Sequence, residues 1–517
     1  MDADAIVVGS GPNGLVAANL LADAGWDVLV LESQPTYGGA VASSSDVHPD
    51  YVHDTFSSFH PLAVVSPAIR GLRLEEHGLR WSHAPAVVGT PFRSGGWAEL
   101  HRDAERTADG LDASTPGDGD AWLRLCAVWD RVGRDAVDAL MTPFPPVRLG
   151  ARTLRGLPGP GALALLRAAL GSGLAVAERE FRGPHARMLL AGNAAHGDVA
   201  LGSAGSGIYG LLLAMTAQQH GFPAPTGGAG SLARALVARL ESRGGRVVCD
   251  TRVERVLVRD GRAWGVRTRG GETLRARAVL ADVPAPTLYG GQVPWADQPS
   301  RTRVLMNRFR WDPGTVKVDW ALSGPVPWAD PPSAAPGTLH LAETTEEVET
   351  YQRELAAGAV PSRPFLLAGQ MATTDPGRAP AGGEALWAYT HVPQHATSDA
   401  GDGSVTGRWD AGDAERMADR MQARFEEYAP GFTARVVARR VLGPRDLQAR
   451  DENLVNGAVN GGTGALGQQL VLRPVPGTGG ARTPVRGLYL ASSSAHPGGG
   501  VHGACGANAA DAVLRGR

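Results

Sequence analysis

Gly9-Ser10-Gly11-Pro12-Asn13-Gly14 sets three glycines at the spacing GxGxxG, directly after the apolar run Ala5–Val8 and directly before a segment of helical spacing, Asn13–Ala24. Glu32 closes the next apolar run, Trp26–Leu31, about 20 residues on. This pattern is suited to holding phosphate. Gly9 permits a tight turn, Gly11 lets the backbone approach a pyrophosphate, and Gly14 lets helix and strand pack closely. Pro12 and Asn13 open the helix, whose N-terminal N–H groups and dipole favour an anion. Glu32 would accept hydrogen bonds from ribose hydroxyls and disfavour a 2′-phosphate. Ser33 continues from it, and the turn Gly38-Gly39-Ala40 lets backbone come close to a long, two-armed dinucleotide.

A second group of candidates concerns proton handling. The chain has 50 basic residues, of which one, Lys317, is lysine. It lies in the alternating run Thr315–Leu322, which reads as a strand. A lysine can accept a proton once its pKa is lowered, whereas arginine cannot. The plainer reading is a surface lysine with its stem laid on apolar neighbours. His60 and Asp54 follow the Gly-Gly turn, and His502 stands in a glycine-rich stretch near the C-terminus. For each histidine a structural role competes with a catalytic one. Gly205-Ser206-Gly207-Ile208-Tyr209-Gly210 is a second GxGxxG, but no strand precedes it and no acidic residue follows at the right distance. It reads as the entry to a helix.

These residues need elements to hold them. A strand, a glycine turn, a helix and a second strand form a βαβ start, which implies a parallel sheet. At 517 residues the chain is too long for one core. Helical patterns dominate from about 100 to 224, and a helix followed by hairpin strands fills 225–290, with turns at Asp260-Gly261 and Gly270-Gly271. Strands and a helix at Asp413–Glu427 share 291–479, and the tail returns to strand, glycine turn and helix. The expected organisation is therefore discontinuous. Segments 1–95, 225–290 and 480–517 would form a nucleotide domain, and 96–224 and 291–479 a substrate domain.

Composition narrows the class. A net charge of −2 gives no reason to expect a nucleic-acid partner. Cys126, Cys249 and Cys505 are far apart, so neither a disulfide framework, a zinc site nor a dithiol reductase is expected. No signal peptide and no apolar run of about 18 residues is read, which points to the cytoplasm. The apolar segment Leu163–Ala177, interrupted by Arg167, is a candidate lining for a lipophilic entrance or a contact with a membrane surface. Oligomeric state is not legible.

The tail completes the pattern. Gly487–Ala491 reads as a buried strand, and Ser492–Asp511 runs through His496-Pro497-Gly498-Gly499-Gly500-Val501-His502-Gly503 into a helix. With the first 40 residues, the helix start at Thr226-Gly227-Gly228 and Arg473-Pro474, the chain resembles the phytoene desaturase/carotenoid isomerase-like flavoproteins of the amine-oxidase-type superfamily. The resemblance implies an α/β, two-domain flavoprotein with a Rossmann-like FAD-binding domain and a mixed α+β substrate domain. By the same resemblance, Gly9, Gly11 and Gly14 would hold the FAD pyrophosphate and Glu32 the ribose. Gly38 and Gly39 would pass near the flavin, and Val253 would meet the adenine. Ser493 and Ser494 would approach the ribityl-phosphate, while Gly500, Val501, His502 and Gly503 would bring backbone to the ring. In amine-oxidase-type relatives a lysine on a strand like that of Lys317 reaches the flavin through a water. Desaturases often carry arginine where this chain has Ala40, which weakens a close match to carotenoid-forming enzymes. The expected activity is oxidation, desaturation or isomerisation of a largely apolar small molecule by hydride transfer. An amine-oxidase-like, oxygen-using enzyme and a flavin-free prenyl-protein chaperone are the alternatives.

Overall fold

The computed structural model describes residues 2–155 and 170–516, so residues 163–169 of the apolar segment lie outside the described residues. Five short strands form a fully parallel sheet in the order Leu488–Leu490, Ala278–Ala281, Ala5–Val8, Val28–Leu31, Arg246–Val248. Its central strands are buried throughout, as a parallel sheet covered on both faces requires. Ala5, Val7, Val28 and Val30 pack under the helices Pro12–Asp23 and Ala504–Leu514. Ile6, Val8, Leu29 and Leu31 face the antiparallel strands Val253–Arg259 and Arg262–Thr268. Segments far apart in sequence therefore share one parallel sheet.

A seven-stranded sheet builds the second unit, in the order Val436–Leu442, Gly314–Leu322, Glu384–Val392, Leu366–Gln370, Pro336–Leu341, Ala86–Pro91, Trp97–Leu100. Here the structure departs from the expected boundaries. Ala86–Pro91 was read with the nucleotide domain, but it pairs in parallel with Pro336–Leu341. The two faces of this sheet differ by the period of two. Val316, Val318, Trp320 and Leu322 pack against Met417, Met421 and Phe425 of the helix Ala411–Tyr428. Thr315, Lys317 and Asp319 occupy the opposite face. On that face, across the neighbouring strand, Lys317 is opposite Tyr389 and Asp319 opposite Trp387. The helices Asp118–Met141, Pro184–Ala194 and Ser206–His220 pack over the same side. The second GxGxxG opens the last of these, with Gly205 as its left-handed N-cap, as its helix-entry reading anticipates.

Candidate flavin site

Two adjoining cavities run from the carboxyl ends of the parallel strands to the seven-stranded sheet. The first, of about 1020 Å³, is lined by Gly9, Ser10, Gly11, Glu32, Ser33, Gly39 and Val253, together with Arg252, Arg445 and Arg450. The second, of about 290 Å³, is lined by Pro12, Asn13, Ala40, Phe56, Phe59, Lys317, Tyr389, Ser493, Gly500 and Val501 among others. Gly11, Phe56, Asp451 and Asn453 border both, so the two form one elongated site.

The glycine turn is built as its spacing requires. Gly9 has φ +96, and a Cβ there would stand 2.8 Å from the Asp282 carbonyl oxygen. A Cβ at Gly14 would stand 2.3 Å from the Gly9 carbonyl oxygen, so only glycine lets the helix approach the strand. Glu32 is buried, and its carboxylate accepts from Ser10 N at 2.9 Å, Ser10 Oγ at 2.6 Å and Gln34 N at 2.9 Å. Ser33 Oγ adds a longer contact at 3.4 Å, and together these bonds fix the carboxylate at the cavity edge.

Lys317 is 3% exposed and stands in the wall of the smaller cavity. Its Nζ donates to the Asp54 carbonyl oxygen at 2.9 Å and pairs with Asp319. Burial pulls its pKa down, and the Asp319 charge opposes that pull. It is therefore not the solvated surface lysine of the plainer reading. Asp54 is itself held, by Arg378 at 3.1 Å, Ala229 N at 2.7 Å and Ser43 Oγ at 2.7 Å.

Other expected site residues fall just behind the wall. The His502 ring turns away from the cavity. Its Nδ1 accepts from Ala504 N at 3.0 Å, capping the C-terminal helix, and burial holds its pKa down at about 4. His60 is likewise buried, with its pKa lowered to about 4, and its Nε2 meets Ser57 Oγ at 3.0 Å. It reaches the cavity only through Ser57, which lines it. Neither imidazole is placed as an acid or base on a substrate. Ser494 donates to Gly461 O at 2.9 Å, Gly38 packs against Val41 O, and Gly503 packs against Val16. These three shape the wall rather than line it. Cys505 is buried with its thiol pushed up to about 12, which suits a packing role.

Sequence reasoning missed the residues contributed by the segment that crosses over the site. Leu447, Asp451, Asn453, Leu454, Val459, Asn460 and Gly461 all line the smaller cavity. Arg473, fully buried, holds that segment against the tail. Its guanidinium donates to Ser493 O at 2.7 Å, Asn460 O at 2.9 Å and Thr463 O at 2.9 Å. Asp282 was also missed. It accepts from Gly14 N at 2.8 Å, and burial, with Asp451 and Glu32 nearby, pushes its pKa up to about 7. Only the Arg473-Pro474 motif gave any sign of this layer.

The comparisons agree with this geometry. Residues 7–72 match an NAD(P)-binding Rossmann-like domain, and residues 153–352 match the flavin containing amine oxidoreductase family. The chain is 28% identical to pyridine nucleotide-disulfide oxidoreductase domain-containing protein 2 of Mus musculus, over 99% of this chain and 93% of the relative. It is 29% identical to hydroxyneurosporene desaturase of Rubrivivax gelatinosus, over 58% of this chain and 57% of the relative. Putrescine oxidase bound to putrescine shares the fold at a TM-score of 0.62 and 17% identity, covering 100% of this chain and 99% of that one. A glycine turn, a buried acid at the cavity edge and two adjoining cavities, taken with these matches, show a flavin-dependent oxidoreductase similar to the flavin containing amine oxidoreductase family.

Proposed function

We propose that the flavin is FAD and that the enzyme oxidises, desaturates or isomerises a largely apolar small molecule. The length of the joined site supports FAD over a mononucleotide, because the larger cavity carries Glu32 and Val253 beyond the glycine turn. Gly9, Gly11, Pro12, Asn13 and Gly14 would hold the diphosphate, Glu32 the ribose, and Ala40, Ser493, Gly500 and Val501 the ring. When bound, the cofactor supplies a two-electron acceptor. The chain's own residues do the rest. They would orient the substrate, exclude water, and present Lys317, the one cation among the described residues in the wall of the smaller cavity.

The wall of that cavity carries the substrate reading. Phe56, Phe59, Tyr389, Leu447, Leu454 and Val459 give it an aromatic and aliphatic lining, which suits an apolar molecule. Relatives named for hydroxyneurosporene and for all-trans-retinol point the same way. The amine-oxidase-like reading is favoured by one observation, Lys317 in the wall, and dependence on Lys317 with peroxide release would select it. A flavin-free chaperone does not fit the intact glycine turn and Glu32. The three cysteines are free, which suits a reducing cytoplasm. Among the described residues no helix is long and apolar enough to cross a membrane.

The test is the absorption spectrum of the purified protein before and after denaturation. Flavin bands that pass to the supernatant, as FAD and not FMN on chromatography, are the expected result. Anaerobic bleaching of those bands by polyenes, apolar alcohols or amines then identifies the substrate class. A colourless protein that takes up no added FAD would overturn the proposal.

A further inference from the structure

Lys317 heads a line of alternating charges that joins the two cavities. Asp319, two residues on and therefore on the same face of the strand, pairs with it. The other oxygen of Asp319 accepts from Arg440 Nη2 at 2.7 Å and Nε at 3.1 Å. Arg440 pairs in turn with Asp46, and Asp46 with Arg450 at 3.3 Å. Lys317 lines the smaller cavity and Arg450 the larger.

We propose that Asp319, held by Arg440, is the positioning residue that fixes Lys317 in the cavity wall and governs its protonation. This rests on the reading of the smaller cavity as the flavin-ring site. Asp319 is fully buried, and a buried carboxylate persists only with charged or hydrogen-bonding partners. It has two, one of which can never release its proton. Lys317 is thus the cation of the trio that can change charge. Among the other groups around it, Asp54 adds a smaller pull toward the ammonium than Asp319 does. Asp54 offers Lys317 its carbonyl oxygen while its carboxylate faces Arg378. His53 is held on Trp320 O at 3.1 Å with its pKa lowered by burial. The Trp387 ring lies 5.9 Å from Nζ, and Tyr389 is the cross-strand neighbour. Asp319 therefore favours the ammonium, while Arg440 and burial oppose it.

The single lysine makes this measurable without a substrate. Protein grown on lysine labelled with ¹³C at the ε carbon carries one labelled side chain, whose resonance can be titrated in the FAD-loaded enzyme. Asp319→Asn is expected to lower the midpoint by at least about one pH unit. Arg440→Gln is expected to raise it, and Asp319→Glu to restore the wild-type value. Opposite movements separate an electrostatic role from loosened packing, which would move both variants alike. Unchanged midpoints, or shifts in the same direction, overturn the proposal. Should Asp319→Asn not fold, a midpoint in Arg440→Gln that fails to rise overturns it as well. The underlying reading fails separately, if stripping FAD leaves the wild-type lysine resonance unmoved.

Discussion

Asp282→Asn exchanges one oxygen for nitrogen beside the glycine turn of the candidate site, and its effect can be worked out in sign and size. Asp282 is 5% exposed, and burial, with Asp451 and Glu32 alongside, pushes its carboxyl from 3.8 up to about 7 against the pull of the Gly14 N–H. Below 3.8 the folded and unfolded chains both hold the proton, so the raised value costs nothing there. Between 3.8 and about 7 the unfolded chain releases a proton that the folded chain keeps, and stability falls as pH rises. Above that window the whole penalty, about 4 kcal/mol, is in force. Asparagine has no proton to keep. The stability of the variant relative to wild type should therefore improve by up to about 4 kcal/mol between pH ~4 and pH ~8. Asp312 and Glu384 also have raised values, but they are present in both proteins and cancel in the difference. Asp451 does not cancel, because its charge is coupled to that of Asp282, and removing that repulsion widens the gap in the same direction. Urea unfolding of the FAD-free proteins, followed by tryptophan fluorescence at each pH, measures the gap. The same group bears on the cofactor, because a Cβ at Gly11 would stand 2.8 Å from Asp282 Oδ2. On the proposed FAD reading, a diphosphate at Gly11 would meet a neutral acid below about pH 7 and a carboxylate above it. Wild-type affinity for FAD should fall as pH rises through about 7, by at most about tenfold per pH unit, and the variant should not follow. A stability gap that stays constant across the range would refute the burial argument for both effects.

Three other outcomes follow from the packing. Gly14→Ala would set its Cβ 2.3 Å from the Gly9 carbonyl oxygen, backbone against side chain, with no flexible group to yield. The protein should purify without flavin and lose about 1–3 kcal/mol of stability; retained FAD would contradict the close approach. Arg473→Lys keeps the charge but lacks the planar fork that reaches the carbonyls of Ser493, Asn460 and Thr463 together. A loss of about 2–3 kcal/mol in denaturant melts, with weaker FAD binding by fluorescence quenching, is expected. Trp320→Ala removes a fully buried indole from the face of the seven-stranded sheet turned away from the site. It should cost about 3–5 kcal/mol and leave the FAD dissociation constant of the folded protein unchanged.

Much of the nucleotide domain was legible because its evidence is local. A strand, three glycines and a helix lie within one stretch of chain. In the second unit, the period of two in Thr315–Leu322 likewise marks that strand without outside help. Ala86–Pro91 was misplaced for the opposite reason. A six-residue run such as Ala-Val-Val-Gly-Thr-Pro carries no mark of its sheet, and its partner Pro336–Leu341 lies far along the chain. The helices that cover one face of the seven-stranded sheet were recognisable as helices, but which face they cover follows from sheet register, which a single sequence does not contain.

The site divides along the same line. Gly11, Glu32, Ser33 and Gly39, which line the larger cavity, could be read because they follow the first two strands within one short stretch of chain. Phe56, Tyr389, Asp451 and Asn460 could not, since they converge only when three separate segments cross the cavity. The imidazole of His502 shows how a motif misleads. A histidine in a glycine-rich turn resembles a catalytic group, yet the turn ends in a helix whose first N–H groups need an acceptor, and the ring satisfies one of them. Lys317 shows the converse. Its sequence neighbourhood is an ordinary alternating strand, and its isolation as the only lysine marked it. The structure adds the buried carboxylate beside it, two residues along the same face. Residue type can thus nominate a proton-handling group, but its protonation depends on partners such as Arg440 that register alone brings into place.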